Sequence, residues 1–215
     1  MIRKRYTLIT ISALSLLLAG CDDGENVEGM QEATEELDRL KTETVDNLNQ
    51  LYDLEVDLQS NFSDTLETDD DLTTLGDGSS PVFENIESRQ TVLDSIEENE
   101  TEMEAHQDTL DSYEGERLNQ DEIDGVTNNV DLFIEHLAQY RNHYLETLSS
   151  QEDYFTSIAN DDATYDEFSE GIQSINEERD ALRDHLLELD DILVDFSTTL
   201  DQLSTTIEDE LAEEE

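Results

Sequence analysis

Apolar residues recur along this chain at intervals of three and four, the spacing that predicts amphipathic helices. The first stripe is Met30, Ala33, Leu37, Leu40, Val45, Leu48, Leu51, Leu58, Phe62 and Leu66, and neither Pro nor a further Gly intervenes between Met30 and Leu75. It predicts one long helix, fraying near Asp69-Asp70-Asp71. The tract Gly76-Asp77-Gly78-Ser79-Ser80-Pro81 breaks the pattern. Ser80 is suited to cap the next helix, and Pro81 to fill its first position, where no amide donor is missed. That second helix is expected from Pro81 to about Tyr113, with Gly115 ending it. Its stripe is Val82, Ile86, Arg89, Leu93, Ile96, Glu100, Met103, Gln107 and Leu110, so three of its members are polar.

The third stripe holds Ile123, Val126, Val130, Phe133, Leu137, Tyr140, Tyr144, Leu148, Phe155 and Ile158, preceded by Asn119 and Glu122 in capping-box spacing. Thr164 and Glu167 repeat that spacing ahead of the fourth stripe. This last one is the strongest: Tyr165, Phe168, Ile172, Ile175, Arg179, Leu182, Leu186, Leu189, Leu193, Phe196, Leu200, Leu203 and Ile207, broken only by Arg179. A period near 3.5 sustained so far is that of a coiled-coil seam, and Arg179 within it reads as a register or pairing device. Such a helix is about 60 Å long, and short links favour antiparallel neighbours. The expected fold is all-α: an elongated antiparallel helical bundle or coiled coil of about four helices over residues 27–208, with an acidic tail at 209–215.

The N-terminus follows another grammar. A basic cluster, Arg3-Lys4-Arg5, precedes an apolar run from about Leu8 to Leu18, and the small residues Ala19 and Gly20 stand just before Cys21. This is the order of a secretory signal, here residues 1–20. The run is shorter than the roughly 20 residues of a permanent membrane-spanning helix. Leu18-Ala19-Gly20-Cys21 further resembles a bacterial lipobox. The resemblance implies signal-peptidase recognition through Leu18, Ala19 and Gly20, and a diacylglyceryl lipid on Cys21, which becomes the mature N-terminus ahead of a flexible tether at 21–26. Two acyl chains, with palmitate as a usual component, suffice for stable anchoring. The expected location is the extracytoplasmic face of the cell membrane, lipid-anchored. Cys21 is the sole cysteine in 215 residues, so the fold has no intramolecular disulfide.

Charge sharpens the picture. Asp and Glu number 59 against 10 Lys and Arg, a formal net charge of −49. Loss of residues 1–20 removes three of the basic side chains and no acid. Nucleic acid is excluded as a partner, because no basic patch exists to neutralise phosphates. Only two lysines occur, Lys4 and Lys41, which reads as halophilic adaptation to a salty or alkaline exterior. Self-repulsion of this size destabilises a compact state, and molar salt, with a Debye length of ~3 Å, relieves it.

Candidate chemistry is sparse. No phosphate loop, nucleophile elbow or H-E-x-x-H motif occurs, so no catalytic residue and no enzyme activity is expected. Counting Asp71 as the first ligand of a calcium loop puts Gly76 at the sixth place, but Leu75 at the fifth and Val82 at the twelfth break the spacing. His136 and His143, with Glu135 and Glu146 nearby, are seven apart rather than the three or four of tight ligand pairs, so no specific metal site is expected. Weak, diffuse binding of Ca²⁺ or Mg²⁺ to the acidic surface is expected instead. Tyr140, Tyr144, Tyr154, Phe155, Tyr165 and Phe168 gather near the last turn. They stand either as an exposed patch for a glycan or peptide, or as core at that end of the bundle, the reading that helical spacing favours.

The lipobox, the long acidic first helix, and Tyr140, Tyr144, Tyr154-Phe155, Phe168, Ile172 and Ile175-Asn176 together resemble the YkyA-like cell-wall-binding lipoproteins of Gram-positive bacteria, over about residues 21–205. The resemblance implies an all-helical, surface-anchored protein with no catalytic residues and no cofactor beyond the lipid on Cys21. Relatives of this type are rich in Lys. This chain is not, so direct electrostatic binding to teichoic acid would need bridging divalent cations. The expected function is a membrane-anchored binding or structural role toward a cell-wall polymer or envelope protein, with a metal- or small-ligand-sequestering lipoprotein as the alternative.

Overall fold

The computed structural model describes residues 26–213. Signal segment 1–20, the lipobox residues Leu18, Ala19, Gly20 and Cys21, tether residues 21–25 and the last two glutamates lie outside the described residues. The described chain is helical, with no strand: α1 (Val27–Thr68), α2 (Thr73–Gly76), α3 (Pro81–Asp111), α4 (Gln120–Ser157) and α5 (Tyr165–Ala212). The count is five rather than about four, because a single-turn helix, α2, forms in the link between α1 and α3.

Cross-helix partners fix the directions. Thr44 meets Asn99 and Thr65 meets Ser80, so α1 and α3 are antiparallel. Arg89 with Gln151 and Gln107 with Asp131 set the same sense for α3 and α4. Asn129 with Thr199 and Tyr154 with Phe168 do so for α4 and α5. The ring is closed by α1 against α5, through Phe62 on Phe168 and Lys41 over Phe196. This last contact is the sparsest of the four between long helices.

Helix starts follow the sequence. Asn26, assigned to the tether, caps α1 by accepting from the Gly29 amide at 3.1 Å. Ser80 caps α3 with Pro81 in its first turn. Thr164 and Glu167 form a full capping box on α5. At α4 the expected box is only half made: Asn119 accepts from the Asp121 amide, while the Glu122 carboxylate accepts from Thr206 on α5. Ends differ more. Helix α3 stops at Asp111, before Gly115, and α5 runs on to Ala212, past the expected limit at 208. Helix α1 stops at Thr68, and the Asp69 carboxylate accepts from both the amide and the hydroxyl of Thr74 at 2.7 Å.

All nine residues of the α3 stripe are buried, including Arg89, Glu100 and Gln107, as are all ten of the α4 stripe. On α1, Met30, Leu37, Thr44, Leu51, Leu58 and Thr65 are buried at strict seven-residue intervals. Thr44 and Thr65 thus replace the expected Val45 and Leu66, the latter being exposed. The departure on α5 matters most for function. None of its residues before Leu182 is buried, although its stripe begins at Tyr165.

Candidate binding groove

A second seven-residue series on α1, comprising Lys41, Leu48, Glu55 and Phe62, faces α5. Its members above and below find apolar partners there. Between them, Glu55 arrives at the level where α5 offers Arg179, the single charged member of its own stripe. Neither side chain can be buried unpaired without a large desolvation cost, and the two form no ion pair. The helices therefore do not close at this level. What remains is a groove of about 380 Å³ between α1 and α5, within the roughly 300–1,000 Å³ typical of small-ligand sites.

Leu48, Leu182 and Leu186 supply apolar walls, and Tyr140 of α4 forms the floor. Tyr52 and Val56 stand on the α1 rim, 63% and 54% exposed. Opposite them are Arg179, Asp180 and Arg183. Elsewhere the scarce cations are committed. Arg39 pairs with Glu36, Glu43 and Glu102, and Lys41 with Asp38. Arg117 pairs with Glu210, and Arg141 with Glu97 and Glu100. Arg89 is buried. Among the described residues, Arg179 and Arg183 are the exposed arginines outside any ion pair, and both open onto the groove.

Behind the floor lies a polar layer. Tyr140 and Tyr144 meet edge to face at 5.6 Å, and the Arg89 guanidinium lies 5.9 Å over the Tyr144 ring. Arg89 donates from Nη2 to Gln151 Oε1 at 2.7 Å, while its Nε and Nη1 have no partner. The Tyr144 hydroxyl lies within electrostatic reach of both Glu55 and Arg89 without a hydrogen bond to either. Burial holds the hydroxyls of Tyr140 and Tyr144 well above the usual phenol range, so both are neutral at any physiological pH.

The other residues singled out from sequence distribute as follows. Arg179, expected as a register or pairing device, is exposed, forms no ion pair and lines the groove opposite Glu55. Of the aromatic group, Tyr140, Tyr144 and Phe155 are core, Tyr154 and Phe168 pack against it, and Tyr165 is 81% exposed. His136 and His143 do not approach each other as a pair. His143 instead meets His185 of α5 edge to face at 5.4 Å, and His136 Nδ1 lies 3.7 Å from Glu188. Among the described residues no three His, Cys, Asp or Glu side chains are grouped to hold a metal ion, and no helix is long and apolar enough to cross a membrane. The groove itself was missed. Its signal was available in the two charged interruptions, Glu55 and Arg179, which antiparallel packing brings to one level.

The described residues thus form an all-helical bundle with a mixed-charge groove between α1 and α5. Residues 25–206 match the YkyA family, whose description reads "Putative cell-wall binding lipoprotein", and the chain belongs to that family. No curated protein and no solved structure matches it.

Proposed function

We propose that this protein is a lipoprotein held on the extracytoplasmic face of the cell membrane by a diacylglycerol on Cys21, and that the α1/α5 groove is its contact with the cell wall. The family description supplies the class of partner. One observation carries the assignment to the groove: the two exposed arginines without ion pairs both face it, beside the solvent-exposed Tyr52 and Val56. In a chain of net charge −49, two unpaired cations on one groove are an exception to the acidic surface around them. Arginine binds carboxylates and phosphates through a planar fork, and an exposed tyrosine offers an apolar face with a polar tip. The role is binding, not catalysis, and the heptad-spaced seams make the bundle a coiled-coil-like rod that carries the groove away from the membrane. The depletion of lysine fits a saline exterior.

Co-sedimentation with purified sacculi, with and without Mg²⁺, tests this reading. Retention in both conditions is expected, because Arg179 and Arg183 supply the positive charge directly. Retention in neither contradicts a wall-binding role, and retention only with Mg²⁺ contradicts the arginine contact.

A further inference from the structure

Resting on that reading of the groove, we infer that its ligand is a mixed-charge peptide of the wall, whose carboxylates meet Arg179 and Arg183 and whose ammonium group meets Glu55. The groove presents charge of both signs, with no ion pair across it. Arg179 and Arg183 stand one turn apart on α5, Glu55 lies on the facing wall of α1, and none of the three forms an ion pair among the described residues. A neutral glycan would leave these groups without counter-charges. A polyphosphate chain would satisfy the arginines, but it would set its remaining charge against Glu55, against Asp180 and against the acidic surface around them. A short peptide bearing carboxylates and an amine satisfies both walls at once.

Size and polarity agree with that choice. About 380 Å³ suits a few residues of peptide rather than a folded partner. Tyr52 and Val56 on the rim offer apolar contact for short aliphatic side chains between the charged ends. Glu55 is half-buried, with the Tyr144 hydroxyl and the Arg89 guanidinium behind it. Its half-buried place on the groove wall sets the carboxylate where an ammonium group in the groove meets it. A carboxylate held this way discriminates an ammonium group from its acylated form, because acylation removes the charge and leaves the acid without a partner.

Calorimetry of the full chain in detergent, with defined peptidoglycan fragments, tests the inference. The probes are a disaccharide-peptide with its free amine, the same fragment N-acetylated, and the glycan stripped of peptide. The free-amine fragment should bind, acetylation should weaken it about tenfold, and the stripped glycan should give no signal. Glu55→Gln should weaken the free-amine fragment by a similar factor and leave the acetylated one unchanged. Equal affinity for the acetylated fragment or the stripped glycan overturns the mixed-charge ligand. So does failure of the free-amine fragment to bind a chain that intact sacculi retain. Loss of retention on intact sacculi instead removes the groove reading beneath it.

Discussion

Arg89 of α3 and Gln151 of α4 are joined by a single 2.7 Å hydrogen bond inside the bundle, and beyond the Tyr144 ring that it lies over, that bond is what satisfies a fully buried guanidinium. A buried charge with two unpartnered nitrogens is a cost that surrounding packing offsets. Removing Gln151 alone should therefore hurt more than removing both. Gln151→Leu is expected to destabilise by about 1–3 kcal/mol, because it leaves the buried Arg89 guanidinium without a hydrogen-bond acceptor. Arg89→Met with Gln151→Leu should restore most of that loss, since an apolar pair of similar volume is often neutral or better. Chemical denaturation of the two single variants and the double variant, read as a thermodynamic cycle, checks this. Additive losses would contradict it.

A half-buried carboxyl on α5 gives a pH test. Burial raises the Glu178 carboxyl above its ordinary 4.5, against the lowering effects of Ser150 and His143, and its Oε2 is enclosed without a hydrogen bond. A folded-state value above the unfolded one means that the folded chain holds the proton more tightly. This contribution is thus fully present at low pH and is lost as pH rises from about 4.5 through the raised value. Glu178→Gln should consequently gain stability over wild type as pH climbs through that window, then hold the gain. Denaturation midpoints of both proteins across the window measure it, and a constant difference would contradict the sign.

Self-repulsion on a chain of net charge −49 predicts a salt-dependent fold. Melting temperature should rise from low to molar NaCl as the Debye length contracts to ~3 Å. Circular dichroism melts at several salt concentrations test this. Identical melting at both extremes would show that the carboxylates are already tolerated.

Anchoring rests on Cys21. Labelled palmitate should be incorporated into the wild-type protein and not into Cys21→Ser, and the variant should leave the membrane fraction. Unchanged fractionation of the variant would remove the lipid from the account.

Every position of the α3 and α4 stripes is buried, because those two helices are covered along their length, although the seams also take in Asn85, Val92 and Asn99 on α3 and Thr127, Thr147 and Gln151 on α4, which the stripes leave out. Even Arg89, Glu100 and Gln107 turn inward. On α1 the pattern slips by one position at Val45 and Leu66. Thr44 and Thr65 are less apolar than their neighbours, yet they are the residues that meet Asn99 and Ser80 across the interface. On α5 the strongest stripe proves the least covered at its start. Burial of Phe168, Ile172 and Ile175 depends on what α1 presents opposite them, and no single-helix pattern carries that information. The groove arises for the same reason: Glu55 and Arg179 are unremarkable alone and become a site only through antiparallel register.

The most direct measurement is retention on purified sacculi of the wild-type chain beside Arg179→Glu/Arg183→Glu. Both side chains are exposed and outside any ion pair, so the double variant should keep its helical content, with any fall in melting temperature from the added negative charge recovered in molar salt. Its retention should fall by tenfold or more, as expected for losing two charge-assisted contacts of about 1.5–3 kcal/mol each at the upper limit. Equal retention of a folded double variant would contradict the account and place the wall contact elsewhere on the bundle.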